Sequence, residues 1–181
     1  GDLDLIVGDH SEVSRERAGS ESSGDARTHS AIWFYERRTV PAPPMIDVDA
    51  PSQGAPVAAG AALGGALAIG DELDVWVRVR IAEGWHVYDL DEGTPFVNTT
   101  LAFDLPEGLT AVGGWERPAS VDYPAGGEGV RVWKDEVHFR ARVRVDAAPA
   151  AGAEVVCTLA YQACNDSFCL PPETVTLRAT R

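Results

Sequence analysis

Two stretches of this chain alternate apolar and polar residues with a strict period of two. Val75, Val77, Val79 and Ile81 fall on one side, with Trp76, Arg78 and Arg80 on the other. Further on, Val137, Phe139, Ala141, Val143 and Val145 alternate with His138, Arg140, Arg142 and Arg144. Successive side chains of an extended strand point to opposite faces, so this pattern predicts half-buried antiparallel strands. Residues 155–161 repeat it, with Val155, Cys157, Leu159 and Tyr161 together, and residues 174–177 predict a closing strand. Turn clusters punctuate the pattern at Asp91-Glu92-Gly93-Thr94-Pro95, Pro106-Glu107-Gly108 and Ala125-Gly126-Gly127-Glu128-Gly129. No amphipathic helix longer than two turns is evident. The fold class this predicts is all-β, an immunoglobulin-like antiparallel β-sandwich with an irregular N-terminal extension.

The sandwich is expected over residues 46–181 and the extension over 1–45. Within the extension, Ser20-Glu21-Ser22-Ser23-Gly24-Asp25 reads as a flexible loop. Ala31-Ile32-Trp33-Phe34-Tyr35 reads as a strand docked on the main body, and Pro41-Ala42-Pro43-Pro44 as a connector. The Ala/Gly-rich run 55–70 holds Pro56 and stops at Asp71-Glu72. It is too weakly apolar to span a bilayer, and its expected role is a loop or a loosely packed edge. The opening Gly1-Asp2-Leu3-Asp4 has no leader character, so either a signal was removed or the chain is a piece of a longer protein.

With 28 acidic and 15 basic side chains the formal charge is −13. That balance disfavours a nucleic-acid surface, which needs clustered Lys and Arg, and direct docking on anionic lipid. The outward row Arg78, Arg80, Arg140, Arg142 and Arg144 is expected to be a solvated sheet face paired with nearby carboxylates. No Gly-x-Ser-x-Gly elbow supports a hydrolase.

The chain has three cysteines, an odd number that cannot all pair internally. Cys157 occupies a core-facing strand position and is expected to be a buried small hydrophobe without chemistry. Cys164 and Cys169 flank the polar turn Asn165-Asp166-Ser167, where a tight hairpin can bring two thiols within bonding reach. The loop they close is short, so entropy alone gives such a bond modest stabilising power. Reversible exchange and a permanent staple both remain open from the spacing. Zinc held by these thiolates with His86 or His138 is weakly supported, because no second clustered ligand pair exists. With Met45 the sole methionine, copper fares no better. Neither metal nor cofactor is expected.

The segment Tyr161-Gln162-Ala163-Cys164 followed by Phe168-Cys169-Leu170-Pro171-Pro172-Glu173 resembles the Tyr-Gln-x-Cys … Cys-x-Pro-Pro-Glu signature of the N-terminal domain of the thiol:disulfide interchange protein DsbD family. Gly84-Trp85-His86-Val87-Tyr88 is similar to that family's early Gly-aromatic-His/Tyr-x-Tyr strand, and Val132-Trp133-Lys134-Asp135 is a third match. The likeness runs from about residue 70 to the end; Cys157 is additional to the family's pair. It implies a periplasmic or otherwise extracytoplasmic domain, part of a larger membrane-associated protein. The implied role is protein-disulfide reduction. A membrane-embedded domain fed by a thioredoxin-like one supplies electrons, which pass to disulfide isomerases or cytochrome c maturation thioredoxins. By the same resemblance Cys169 forms mixed disulfides and Cys164 resolves them. A cap loop with an aromatic shield is implied at Val121-Asp122-Tyr123-Pro124, with Tyr123 as shield. From the residues themselves, Phe168 directly before Cys169 is a second candidate shield, Asp122 and Gln162 are candidate neighbours, and Tyr161, also near the pair, is expected to pack in the core. The alternative is a non-catalytic interaction module whose disulfide is structural.

No helix N-terminus is predicted beside the pair, and no Lys or Arg flanks it in sequence, whereas Asp166 does. Those neighbours favour an ordinary or raised thiol pKa. Reactivity is therefore expected to depend on access and on the partner's surface.

Overall fold

The computed structural model describes residues 4–6, 33–35, 42–65, 68–89 and 96–180. The chain divides into two compact units, Gly1–Ala42 and Pro43–Arg181. In the first, β1 (Asp4–Ile6) pairs antiparallel with β2 (Trp33–Tyr35), Leu5 opposite Phe34. The strand expected around the aromatic run is thus present, with Asp4–Ile6 as its partner. The side chains on which its docking would rest, the 20–25 patch and the 91–95 turn lie outside the described residues.

The second unit is built from β3 (Val57–Gly64), β4 (Glu72–Ile81), β5 (His86–Tyr88), β6 (Thr100–Asp104), β7 (Leu109–Glu116), β8 (Val121–Asp122), β9 (Arg131–Trp133), β10 (Glu136–Val145), β11 (Val155–Tyr161), β12 (Ala163–Cys164) and β13 (Glu173–Thr180). A 3₁₀ turn, Pro124–Gly126, interrupts the strands. Seven strands form one sheet in the order β6-β11-β13-β3-β4-β10-β7. Its neighbours are antiparallel except β13 and β3, which meet in parallel only at Ala179–Ala61 and Thr180–Ala62. At that short seam the sheet folds over, and its two edges approach: the rings of Phe103 on β6 and Trp115 on β7 lie 5.4 Å apart. The two halves make the layers of an immunoglobulin-like β-sandwich.

The alternating residues explain the closure. Val75, Val77, Val79 and Ile81 of β4 and Val137, Phe139, Ala141, Val143 and Val145 of β10 are buried on the inner face. Val155, Cys157, Leu159 and Tyr161 of β11 meet them from the other layer. Each fully buried Val, Leu or Phe side chain contributes about 1.5–3 kcal/mol, so two such rows decide the register. The outer face carries Arg78–Glu136, Arg140–Asp74, Arg142–Glu72 and Arg144–Asp146 at 2.7, 2.8, 3.4 and 2.6 Å, the paired charged face expected of it.

Within the run 55–70, expected to be a loop or a loosely packed edge, residues 57–64 are neither. Residues Val57–Gly64 form an interior strand paired with β4 over its whole length and with β13 at its end. Its small residues serve a second layer of chain. A side chain at Gly60 would begin 2.9 Å from Ile46 Cγ2 and from Val48 Cγ2, so only glycine lets that segment lie flat on the sheet. Ile46 and Val48 bury Trp76, and Arg78 and Arg80 donate to the carbonyls of Ile46 and Val48 at 2.8 and 3.0 Å.

Four strands form a smaller sheet in the order β12-β5-β9-β8. Strand alternation divides its side chains sharply. Val87, Trp133 and Ala163 enter the main core, while Tyr88, Val132 and Cys164 form a separate buried cluster on the other face.

Candidate functional site

That second face is built around the cysteine hairpin. Leu170 N–H donates to Ala163 O, and Asn165 N–H donates to Phe168 O, both at 2.9 Å. The two bonds bracket Cys164 and Cys169, which therefore sit as a directly opposed, non-hydrogen-bonded pair, the closer kind in an antiparallel ladder. Their Cα atoms are 4.0 Å apart and a disulfide joins them. Asn165 shapes the turn, its Oδ1 accepting from the N–H groups of Ser167 and Phe168 at 2.9 Å each. Gln162 ties the hairpin base down, donating to Leu170 O at 3.1 Å and accepting from Val97 N–H at 3.4 Å.

The two sulfur-bearing residues live in different surroundings. Cys164 is 1% exposed, packed with Tyr88, Val130 and Val132, and Phe96 and Tyr123 lie against the same cluster. Cys169, on the outer arm, is exposed.

Tyr123 packs against this cluster. Its hydroxyl donates to Asp166 Oδ1 at 2.9 Å, between the two cysteines, and its ring lies 4.3 Å from that of His86. The 3₁₀ turn seats the ring: a side chain at Gly126 would start 3.0 Å from Tyr123 Cδ1 and 2.8 Å from Val130 Cγ1. The bond to Asp166 and partial burial raise the phenol's pKa above its ordinary value. Phe96 stacks on Tyr88 at 4.5 Å beneath. Phe168 sits edge-on to Trp85 at 5.5 Å and remains 54% exposed. It presents an apolar surface beside Cys169 in sequence.

Of the other expected neighbours, Gln162 belongs to the hairpin as described. Asp122 does not face the pair, because Arg131 holds it at 3.2 Å and its side chain is 81% exposed. Tyr161 lies in the main core with its hydroxyl on Glu173, on the opposite side of the strand from the cluster. Cys157 is a free thiol with no exposed surface, and burial pushes its pKa up to about 11.

Sequence reasoning missed three contributors. His86, part of the family-like strand and weighed as a zinc ligand but not as a neighbour of the pair, is 1% exposed and lies directly across the β5–β12 pairing from Cys164. Tyr88, one alternation further on, shares its face and places its hydroxyl 3.4 Å from His86 Nε2. Lys134, remote in sequence, brings its ammonium 5.4 Å from the Tyr123 ring centroid, so a cation does attend the site. Burial first, then Lys134, lowers the His86 pKa, with Asp166 opposing. The signal that could have found His86 and Tyr88 was the alternation in His86-Val87-Tyr88 itself. His138, the other histidine weighed, stands on the main sheet 3.7 Å from Glu136.

Residues 57–180 match the family model described as thiol:disulfide interchange protein DsbD, N-terminal. The chain belongs to this family. Solved structures similar to it include the N-terminal periplasmic domain of ScsB from Proteus mirabilis, 18% identical with a TM-score of 0.41, covering 68% of this chain and 44% of that one. The DsbD N-terminal domain of Neisseria meningitidis in its reduced form is 20% identical with a TM-score of 0.38, covering 70% and 83%. A third is a Neisseria meningitidis complex between the DsbD N-terminal and PilB N-terminal domains, 18% identical with a TM-score of 0.38, covering 66% and 80%. No curated protein matches the chain. Among the described residues of this DsbD N-terminal-family domain, no helix is long and apolar enough to cross a membrane.

Proposed function

We propose that this domain exchanges disulfides outside the cytoplasm, passing electrons from a membrane-embedded or thioredoxin-like donor to thioredoxin-like or disulfide-isomerase partners through Cys164 and Cys169. The observation that carries the reading is the asymmetry of the pair, an exposed Cys169 bonded to a sealed Cys164. In the oxidised domain a donor thiolate attacks Cys169 Sγ. The Cys164–Cys169 bond breaks, and Cys164 Sγ leaves with the electron pair and takes up a proton. A second donor thiolate then frees Cys169 and leaves the domain reduced. In the other half-cycle the Cys169 thiolate attacks a partner's disulfide, and Cys164 closes on Cys169 to release the reduced partner.

The hairpin supplies proximity, and the aromatic cluster of Tyr88, Phe96 and Tyr123 keeps water and small thiols from the resolving sulfur. The acidic chain, at −13, suits a soluble domain that meets partners by diffusion. The test is trapping. The reduced Cys164→Ser variant, offered an oxidised thioredoxin, should accumulate a mixed disulfide through Cys169 that neither wild type nor Cys169→Ser retains. Absence of any adduct in Cys164→Ser, with the thioredoxin disulfide left intact, would contradict the exchange role.

A further inference from the structure

Resolution asks something of Cys164 that its surroundings do not provide. The attacking species must be a thiolate, yet Cys164 is 1% exposed among Tyr88, Val130 and Val132, where a charged sulfur would lose its hydration. Side chains directly opposite one another in an antiparallel pair share a face and stand with Cβ atoms about 4.5–5.5 Å apart. The residue opposite Cys164 is His86. Its imidazole is 1% exposed, with the Tyr123 ring at 4.3 Å and Tyr88 edge-on at 5.2 Å. Nothing in the exchange chemistry above uses this buried base.

We infer that His86 is the proton acceptor for Cys164 when that thiol resolves the mixed disulfide, and the proton donor to it in the reverse step. This rests on the exchange reading of the pair. In the forward step the Cys164 S–H proton passes to a ring nitrogen of His86 while Cys164 Sγ bonds to Cys169 Sγ. The bond between Cys169 and the partner's sulfur breaks, the electron pair leaves with the partner thiolate, and the imidazolium later returns its proton to solvent. A neutral imidazole is needed beforehand. The groups facing His86 are the Tyr88 and Tyr123 phenols, the Lys134 ammonium, the Asp166 carboxylate and Cys164 itself. Burial and Lys134 keep the ring neutral at physiological pH, while Asp166 supports the imidazolium formed during the step. Access still governs Cys169, so activation is confined to the resolving sulfur.

The experiment uses the reduced domain and 5,5′-dithiobis(2-nitrobenzoate). Cys169 attack releases one coloured thiolate, and closure by Cys164 releases a second in an intramolecular phase. In wild type the second phase should be nearly flat around and above neutral pH, where the lowered pKa leaves the imidazole neutral. His86→Gln should leave the first phase within about twofold and slow the second roughly a hundredfold at pH 7, within the range of general-base contributions. It should also make the second phase climb steeply with pH. Lys134→Met, an exposed substitution, should move the acid limb of the second phase to higher pH by letting the imidazole pKa rise. A second phase unchanged in rate and pH profile in His86→Gln overturns the role of His86, as does a Lys134→Met profile identical to wild type. Failure of wild type to release the second equivalent would instead overturn the exchange reading, and this inference with it.

Discussion

Substituting Tyr123 by Phe removes one hydroxyl and leaves the ring that packs against the cluster as its proposed roof. The hydroxyl donates to Asp166 Oδ1 at 2.9 Å, the bond that ties the roof to the turn between the cysteines. A hydrogen bond to a carboxylate can be worth about 1.5–3 kcal/mol, but this one is exposed, so about 1 kcal/mol is the appropriate figure. At 1.4 kcal/mol per factor of ten, the population with the roof lifted rises roughly fivefold. Cys164 is packed in the same cluster as the Tyr123 ring, whereas Cys169 is exposed on the outer arm. Iodoacetamide labelling of the reduced domain, quantified separately for the two cysteine peptides by mass spectrometry, therefore carries its own control. Cys164 should alkylate about fivefold faster in Tyr123→Phe, and faster still in Tyr123→Ala, with Cys169 unaffected. Unchanged Cys164 rates in both variants would make Tyr123 an ordinary loop residue. Equal acceleration at both cysteines would mean general loosening, and would equally refute the roof.

Asp122→Ala should leave both labelling rates at wild-type values in the same assay, because Arg131 holds that carboxylate away from the hairpin. Phe139→Ala should cost about 3–5 kcal/mol in urea unfolding, since the ring is 2% exposed and packs edge-on to Trp133 at 5.0 Å. Cys157, raised by burial from 9.0 to about 11, stays a neutral thiol in the fold while the unfolded chain ionises. Its contribution is thus intact below pH 9 and falls by up to about 1.4 kcal/mol per pH unit from there to pH 11. Cys157→Ala should lack that alkaline limb in denaturation measured across pH.

The main sheet was legible because its two longest strands bury one face each, and alternation then leaves a single register. β4 and β10 pair along their whole length as the pattern requires, and the arginines on their outer face find their carboxylates. Residues 57–64 were not legible. Alanine and glycine carry little alternation, and the run is a strand because Ile46 and Val48 cover it, a contact made by chain outside the pattern. The hairpin that joins the cysteine pair followed from local spacing and resemblance, whereas Tyr123 was singled out by the resemblance alone. Asp122 was placed by proximity in sequence to Tyr123, and Arg131 holds it elsewhere. Tyr161 keeps step with Val155, Cys157 and Leu159, so it lies in the core as the alternation requires. Lys134 and His86 reach the hairpin only through the pairing of β5 with β12 and β9, which short strands do not announce.

The most direct measurement is the redox midpoint of the Cys164–Cys169 bond in the folded domain, read by alkylation and mass spectrometry across dithiothreitol and glutathione series. The account predicts reversible reduction with a midpoint well above about −300 mV, toward the thioredoxin range, with Cys157 unlabelled throughout. A bond that stays closed below about −300 mV, or opens only when the domain unfolds, would mark a structural staple and contradict the exchange function.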